Sequence, residues 1–381
     1  MARPLFSPEE HNPTGRFYDS GTLTSFLGIE MPPEPVLNRP ISPKENWRLL
    51  FDGKKPYWIP ACGVMTPDVN MFRPRINGDN IANHQVFDGG PPFPYKDNGG
   101  VAKSDWFDIE WQFDGDIGGA TVRPGNPKVT DITRWEKYVQ MPDLDSMDWK
   151  TCAEQNVKYL DTNKMSQLGI QCGLFERLMA LMDVAEACIA LCDEKQKPSV
   201  HRFLDQYADF LIGYIGRMAD VCNIDCVLIH EDWAHQRGPF MSPDMAREML
   251  LPYSKRIVDY VHSRGMSYEI HCCGACELLV PVFIETGADI WFGQPRLNDM
   301  GGYAKKYKGS QLVFGVLAPE LKPDASDEDV RIAASEWVDE FKDCRVACSN
   351  MRPFDEMDKP INMGIFPAIY EFSRIAYQNE D

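Results

Sequence analysis

An α/β protein folded as a TIM-type (β/α)8 barrel is what the sequence predicts, on three observations. Apolar strand-like runs at 168–174, 224–230, 266–273, 288–294, 312–318 and 344–349 alternate with helical patterns near 176–194, 199–221, 242–264, 275–286, 299–307, 326–343 and 366–378. Such β-α repeats specify parallel strands joined by right-handed crossovers. Neither G-x-G-x-x-G after a strand nor G-x-x-x-x-G-K-[ST] occurs, so the usual nucleotide reason for an open doubly wound sheet is missing. Polar and ionisable residues end most of the runs, and a barrel performs its chemistry at the C-terminal ends of its strands.

The elements follow in chain order. Residues 1–43, broken by Pro, Gly and polar residues, read as an N-terminal arm, and 44–381 as one barrel. Ser42-Pro43-Lys44-Glu45 has the capping-box arrangement of a helix start, with Trp47, Leu50 and Phe51 on one face and Asp52-Gly53 as the stop. Tyr57-Trp58-Ile59-Pro60 reads as a short first strand. Residues 61–150 read as an elaborated insertion of loops and short strands, with hairpin character at Gly118–Gly125. The acidic run of Asp105, Asp108, Glu110, Asp114 and Asp116 reads as a solvated loop. Beyond 164 the alternation is regular, and Ser242-Pro243-Asp244 and Ser326-Asp327-Glu328 are capped, acidic helix starts.

Composition limits the partners. Thirty-nine Lys+Arg against 57 Asp+Glu leave a net charge of −18, which argues against nucleic acid or an anionic membrane as a partner. Twelve cysteines are spread over 381 residues. The opening MARPLFSPEEHNP has no apolar leader, and no run approaches the roughly 18 apolar residues of a membrane span. The expected setting is the cytoplasm, with reduced thiols. Each cysteine is then a small buried hydrophobe, a ligand or a nucleophile.

The predicted rim carries the chemistry. One strand ends in His230-Glu231-Asp232-Trp233, the next in His271-Cys272-Cys273-Gly274, and the last in Ala347-Cys348-Ser349. Strand alternation puts His271 and Cys273 on one side, where both can reach a single ion, and Cys348 can supply a third donor. His, Cys and Cys with an open position is a catalytic zinc set. Glu231 and Asp232 follow an apolar strand directly, and one of them should point into the barrel mouth. Its role there would be a fourth ligand or an acid/base group, against a cap or salt bridge. His230 and His235 are candidate outer donors, and Cys344 is the alternate to Cys348. Cys276 has redox spacing from Cys273, and Cys188, Cys192, Cys222 and Cys226 read as core packing.

Several blocks resemble the uroporphyrinogen decarboxylase superfamily, and more closely its corrinoid-dependent methyltransferase branch. They are Ser42–Trp47 and Lys55–Pro60, and most strongly Ser242–Met245 with Leu251–Arg256, followed by His262–Gly265 and His271–Gly274. Asp105–Trp111 with Gly118–Gly125 resembles a subset found in methyl-ether demethylation systems. The resemblance implies a (β/α)8 barrel. The decarboxylases proper hold a tetrapyrrole with an R-x-x-G-R stretch after the first strand. Here that place reads Ala61-Cys62-Gly63-Val64-Met65, and Arg73 and Arg75 come later in another context. In the methyltransferase branch a zinc is bound by His-x-Cys and a distant Cys, which maps onto His271, Cys273 and Cys348. The family's Gly-Cys pair is Ala347-Cys348 here. The resemblance thus implies Zn2+ on this chain, a corrinoid (cobalamin) on a separate partner protein, and a small methylated substrate of the ether, amine or thiol class. Glu231 and Asp232 are the catalytic candidates. A homodimer is compatible with the sequence. Tetrapyrrole decarboxylation and corrinoid or tetrapyrrole binding without turnover are the alternatives.

Overall fold

The computed structural model describes residues 3–18, 34–62, 68–72, 101–103, 106–107, 109–114, 119–122, 125–156, 163–170, 172–294, 296–349 and 362–380. Eight strands make one parallel sheet: β1 (Ala61–Cys62), β2 (Val69–Phe72), β3 (Met165–Ile170), β4 (Cys226–His230), β5 (Ser267–Cys272), β6 (Ile290–Gly293), β7 (Val313–Leu317) and β8 (Val346–Ser349). Their order is β1-β8-β7-β6-β5-β4-β3-β2 and every ladder is parallel, the order of a (β/α)8 barrel. The two edge strands, β1 and β2, are neighbours in sequence. Between them stands the Asp68 carboxylate, which accepts from Ala61 N at 2.9 Å and Trp58 Nε1 at 3.3 Å and pairs with Arg39 at 2.8 Å.

Alternation sorts the side chains into two layers. Val69, Met165, Cys226, Ile290, Phe292, Val313 and Ala347 fill the inside of the barrel near the strand starts, and Trp47 and Leu50 pack onto them. Helix Pro43–Phe51 thus plugs the N-terminal end, and burying each such large side chain stabilises by about 1.5–3 kcal/mol. Its Ser42–Glu45 capping box is formed, and Lys44 pairs with Asp225 at 2.8 Å. Gly315 is required opposite Phe292, because a Cβ there would lie 1.6 Å from the ring. The alternate residues of the strands, among them Leu168, Ile229, Ile270, Trp291, Phe314 and Val346, face the helices in a second, larger cluster.

Several boundaries differ from those predicted. β1 follows the expected Tyr57–Pro60 strand, because Pro60 has no N–H for a central ladder; its carbonyl accepts from Cys348 N instead. β2 lies inside the stretch read as insertion. β3 starts before the expected 168–174 run, whose last apolar residue opens helix Leu174–Met182. The expected 176–194 helix is two, Leu174–Met182 and Val184–Cys192, broken at Asp183 with φ +69°. The 242–264 helix is also two, Pro243–Met249 and Leu251–Ser263, because Pro252 interrupts the hydrogen-bond ladder. Val101–Lys103, Glu110–Asp114 and Gly119–Val122 form an antiparallel sheet. The acidic run therefore puts Glu110 and Asp114 in a strand, while Asp105, Asp108, Asp116, Gly118, Arg73 and Arg75 lie outside the described residues. Trp106 anchors this part of the chain edge-on to Phe210 and Tyr214 of the long helix Lys197–Val221.

No helix among the described residues is long and apolar enough to cross a membrane. At the N-terminal end, His262 Nε2 meets Asp289 Oδ2 at 2.7 Å, and this hydrogen bond raises its pKa above 6.5 against partial burial. The folded state therefore favours the imidazolium. Its contribution is complete below 6.5 and is lost as pH rises through the raised value. The unfolding-temperature advantage of the parent over His262→Gln is expected to shrink between about pH 6 and about pH 9. A gap that stays constant over that range would refute the assignment.

Candidate metal centre

The site is built by two adjacent strand ends. On β5, Tyr268, Ile270 and Cys272 belong to the helix-facing cluster, so Glu269 and His271 face the barrel interior. β4 pairs His230 with His271, and the two rings lie 4.3 Å apart, tilted by 42°. Past the ends of both strands, donor atoms of Asp232, His271 and Cys273 all lie within 4.8 Å of one another. His271 Nε2 is 3.3 Å from Cys273 Sγ, and Asp232 Oδ1 accepts from Cys273 N at 2.9 Å. Asp232 has φ +42°, a conformation that costs energy for most side chains and that aspartate tolerates better.

Burial, reinforced by the Asp232 and Glu176 carboxylates, pushes the Cys273 thiol well above its usual range. A thiol held protonated in this way ligates only by releasing its proton, so cation binding here is coupled to proton loss. One oxygen, one nitrogen and one sulfur donor are a set that suits Zn2+, whose catalytic sites use three protein ligands.

Glu231 is placed differently from Asp232. Its Oε2 accepts from Leu174 N (2.9 Å), Phe175 N (3.5 Å) and Trp233 Nε1 (3.0 Å). It supplies from a distant strand the cap that Gly173, the side-chain-less N-cap of helix Leu174–Met182, cannot. Burial still pushes its carboxyl up to about 7, and its Oε1 has no partner among the described residues. Of the two acids, Asp232 lies in the three-donor group and Glu231 takes the capping role.

Cys348 is not brought to this group. It shares the helix-facing cluster with Val346, whereas Ala347 between them faces the interior beside Gly315. Alternation therefore turns Ser349, not Cys348, inward. Cys344 lies half-buried before β8 and is not in the group either. His235 is exposed on the hairpin Ala234–His235/Gly238–Pro239. The close cysteine pair is Cys272 and Cys276, with Sγ atoms 3.4 Å apart, not Cys273 and Cys276. Cys222 and Cys226 are buried and Cys188 half-buried as expected of packing residues, but Cys192 is exposed. The sequence reading passed over Glu269, which sits one interior position below His271. There Gln167 Nε2 donates to it at 2.5 Å, and burial raises its carboxyl to about 8. A glutamate and a glutamine inside apolar strands were the available signal.

Fold and site together define a (β/α)8 barrel with a three-donor group at its C-terminal rim. Residues 161–346 match the sequence profile of the uroporphyrinogen decarboxylase (URO-D) family. A methyltransferase from Methanosarcina mazei superposes with a TM-score of 0.54 at 14% identity, over 89% of this chain and 98% of that one. At such low identity the likeness establishes the fold. A Burkholderia cenocepacia dihydropteroate synthase (TM-score 0.26, 16% identity, 42% of this chain and 61% of that one) and a Clostridium cellulolyticum D-psicose 3-epimerase (TM-score 0.30, 12% identity, 61% and 82%) are looser likenesses that carry no further argument. No curated protein sequence matches the chain.

Proposed function

We propose that this protein is a zinc-dependent methyltransferase that moves a methyl group between a small methylated ether, amine or thiol and the cobalt of a corrinoid on a separate protein. The observation that carries the reading is the convergence of Asp232, His271 and Cys273 donors within 4.8 Å at the ends of β4 and β5. Bound there, Zn2+ would supply Lewis acidity toward the substrate heteroatom, stabilising its negative charge without a proton. His271 would hold the metal through Nε2 from the barrel interior, and Cys273 through a thiolate that has given up its proton. Asp232 would add a carboxylate oxygen while keeping the Cys273 N–H. Glu231 would act one layer back, fixing the start of helix Leu174–Met182 against β4. The match of residues 161–346 to the URO-D family and the barrel likeness to a methyltransferase support the reaction class.

The test combines metal analysis with a cob(I)alamin methylation assay against methyl ethers, methylamines and methyl thioethers. About one zinc per chain and chelator-sensitive methylation by one class are the expected results. Metal-free protein with full turnover, or chelator-insensitive decarboxylation of a porphyrinogen, would overturn the proposal.

A further inference from the structure

We infer that Asn298, with Gln294, is a positioning residue of the metal centre: from the loop after β6 it holds the Cys273–Cys276 turn in the shape that sets Cys273 Sγ beside His271 Nε2. The inference rests on reading the three-donor group as a metal site.

The turn takes its shape from its surroundings. Its four consecutive N–H groups donate to four different residues of the β4 and β6 loops. Cys273 N donates to Asp232 Oδ1 (2.9 Å), Gly274 N to Gln294 Oε1 (3.0 Å), Ala275 N to His235 O (3.0 Å) and Cys276 N to Asn298 Oδ1 (2.9 Å). The Gly274 carbonyl is held as well, by Asn298 Nδ2 at 2.8 Å. Asn298 therefore grips both sides of the turn, and its amide orientation is dictated, since one end meets an N–H and the other a carbonyl. A second bond from Nδ2 to Gln294 O, at 3.1 Å, fixes Asn298 within its own loop.

Sterics leave the turn little alternative. Gly274 has φ +83°, and a Cβ on it would lie 2.6 Å from Ala234 C and His235 N. Arg296, inside the gripping loop, is held at φ +67°. A non-glycine residue at positive φ, as Arg296 is, persists only where neighbouring contacts over-determine it. Asn298 supplies two of the turn's contacts and donates nothing to the metal itself. Its loss should leave all three donors present but misaligned.

Cobalt(II) titration of the metal-free protein tests this, because thiolate-to-cobalt charge-transfer and ligand-field bands report donor geometry directly. Outer-shell partners typically change metal affinity by about 10–100-fold, and Asn298→Ala is expected to weaken Co2+ binding by that order and to change the ligand-field bands. Thermal unfolding of the metal-free variant should stay close to that of the parent. Unchanged affinity and an unchanged spectrum would overturn the inference. If Asn298→Ala does not fold, Gln294→Ala, which removes the bond to Gly274 N and an exposed one from Gln236 Nε2, decides: weaker, spectrally altered binding supports the inference and parental binding overturns it. A parent protein that shows no thiolate–cobalt band would remove the metal reading and this inference with it. A normal parent with a normal Asn298→Ala would remove this inference alone.

Discussion

Cys273→Ala protein is expected to lose its zinc and to transfer methyl groups to cob(I)alamin more than about 100-fold more slowly than the parent, because outer-shell partners alone are worth about 10–100-fold. Cys273 lies past the end of β5, half-buried, with its sulfur 3.3 Å from the imidazole nitrogen of His271. Removing the sulfur leaves one nitrogen and one oxygen donor, too few to hold the ion in a defined geometry. The side chain contributes little to the core, so circular dichroism and the unfolding temperature of the metal-free variant should match the parent. Because the Cys273 thiol is pushed up, zinc affinity of the parent should fall steeply as pH is lowered. Two companion variants separate the possible ligand sets. Asp232→Ala is expected to release the metal, whereas Cys348→Ala, altered on the helix-facing side of β8, is expected to retain it. The reverse pattern, measured by metal content after dialysis, would reinstate the ligand set implied by family resemblance.

Replacing Arg374 with alanine is expected to cost about 3–5 kcal/mol of folding stability, the usual penalty for removing one partner of a buried ion pair. Arg374, fully buried in helix Ile365–Tyr377, donates to both Glu10 carboxylate oxygens, from Nε at 2.9 Å and Nη2 at 2.8 Å. Tyr370 donates to the same carboxylate at 2.5 Å, and Arg374 also holds the Pro4 carbonyl at 3.0 Å. Without the guanidinium, Glu10 keeps a buried charge answered by neutral donors, the Tyr370 hydroxyl and the Ser7 N–H, and the arm loses a central attachment. Removing both partners, as Glu10→Ala/Arg374→Ala, leaves no orphaned charge and should cost less than the single Arg374 change. Urea unfolding of the three variants measures this. A double variant as unstable as the sum of the two singles would show that the pair is not coupled.

The barrel was legible because its strands are apolar runs of the right length and its helices carry strong caps, such as Ser42 and Ser326. The first two strands were not. β1 has two residues and follows a proline, and β2 lies in a stretch whose aromatics and glycines mask any period. At the site, His271 and Cys273 were legible because an alternation of two puts both on one face of a visible strand. The position of Cys348 on the helix-facing side was not legible, because the sequence shows where a strand ends but not which parity faces inward. That parity is fixed by the pairing of Gly315 with Ala347 across from Phe292. Glu231 and Asp232 could not be told apart by sequence, since their difference is set by Asp232 at positive φ and by Gly173, which leaves a helix start uncapped.

The turn after β5 also bears on how such sites can be inherited or transplanted. His271-Cys272-Cys273-Gly274 is a compact tetrapeptide, yet the four N–H groups from Cys273 to Cys276 are satisfied from other parts of the chain. Spliced alone into another barrel, the tetrapeptide would bring two donors without the scaffold that aims them. A transplant that works must carry three non-contiguous pieces, the β4 hairpin, the β5 end and the β6 loop. The heritable unit of this chemistry is accordingly a side of the barrel rather than a motif.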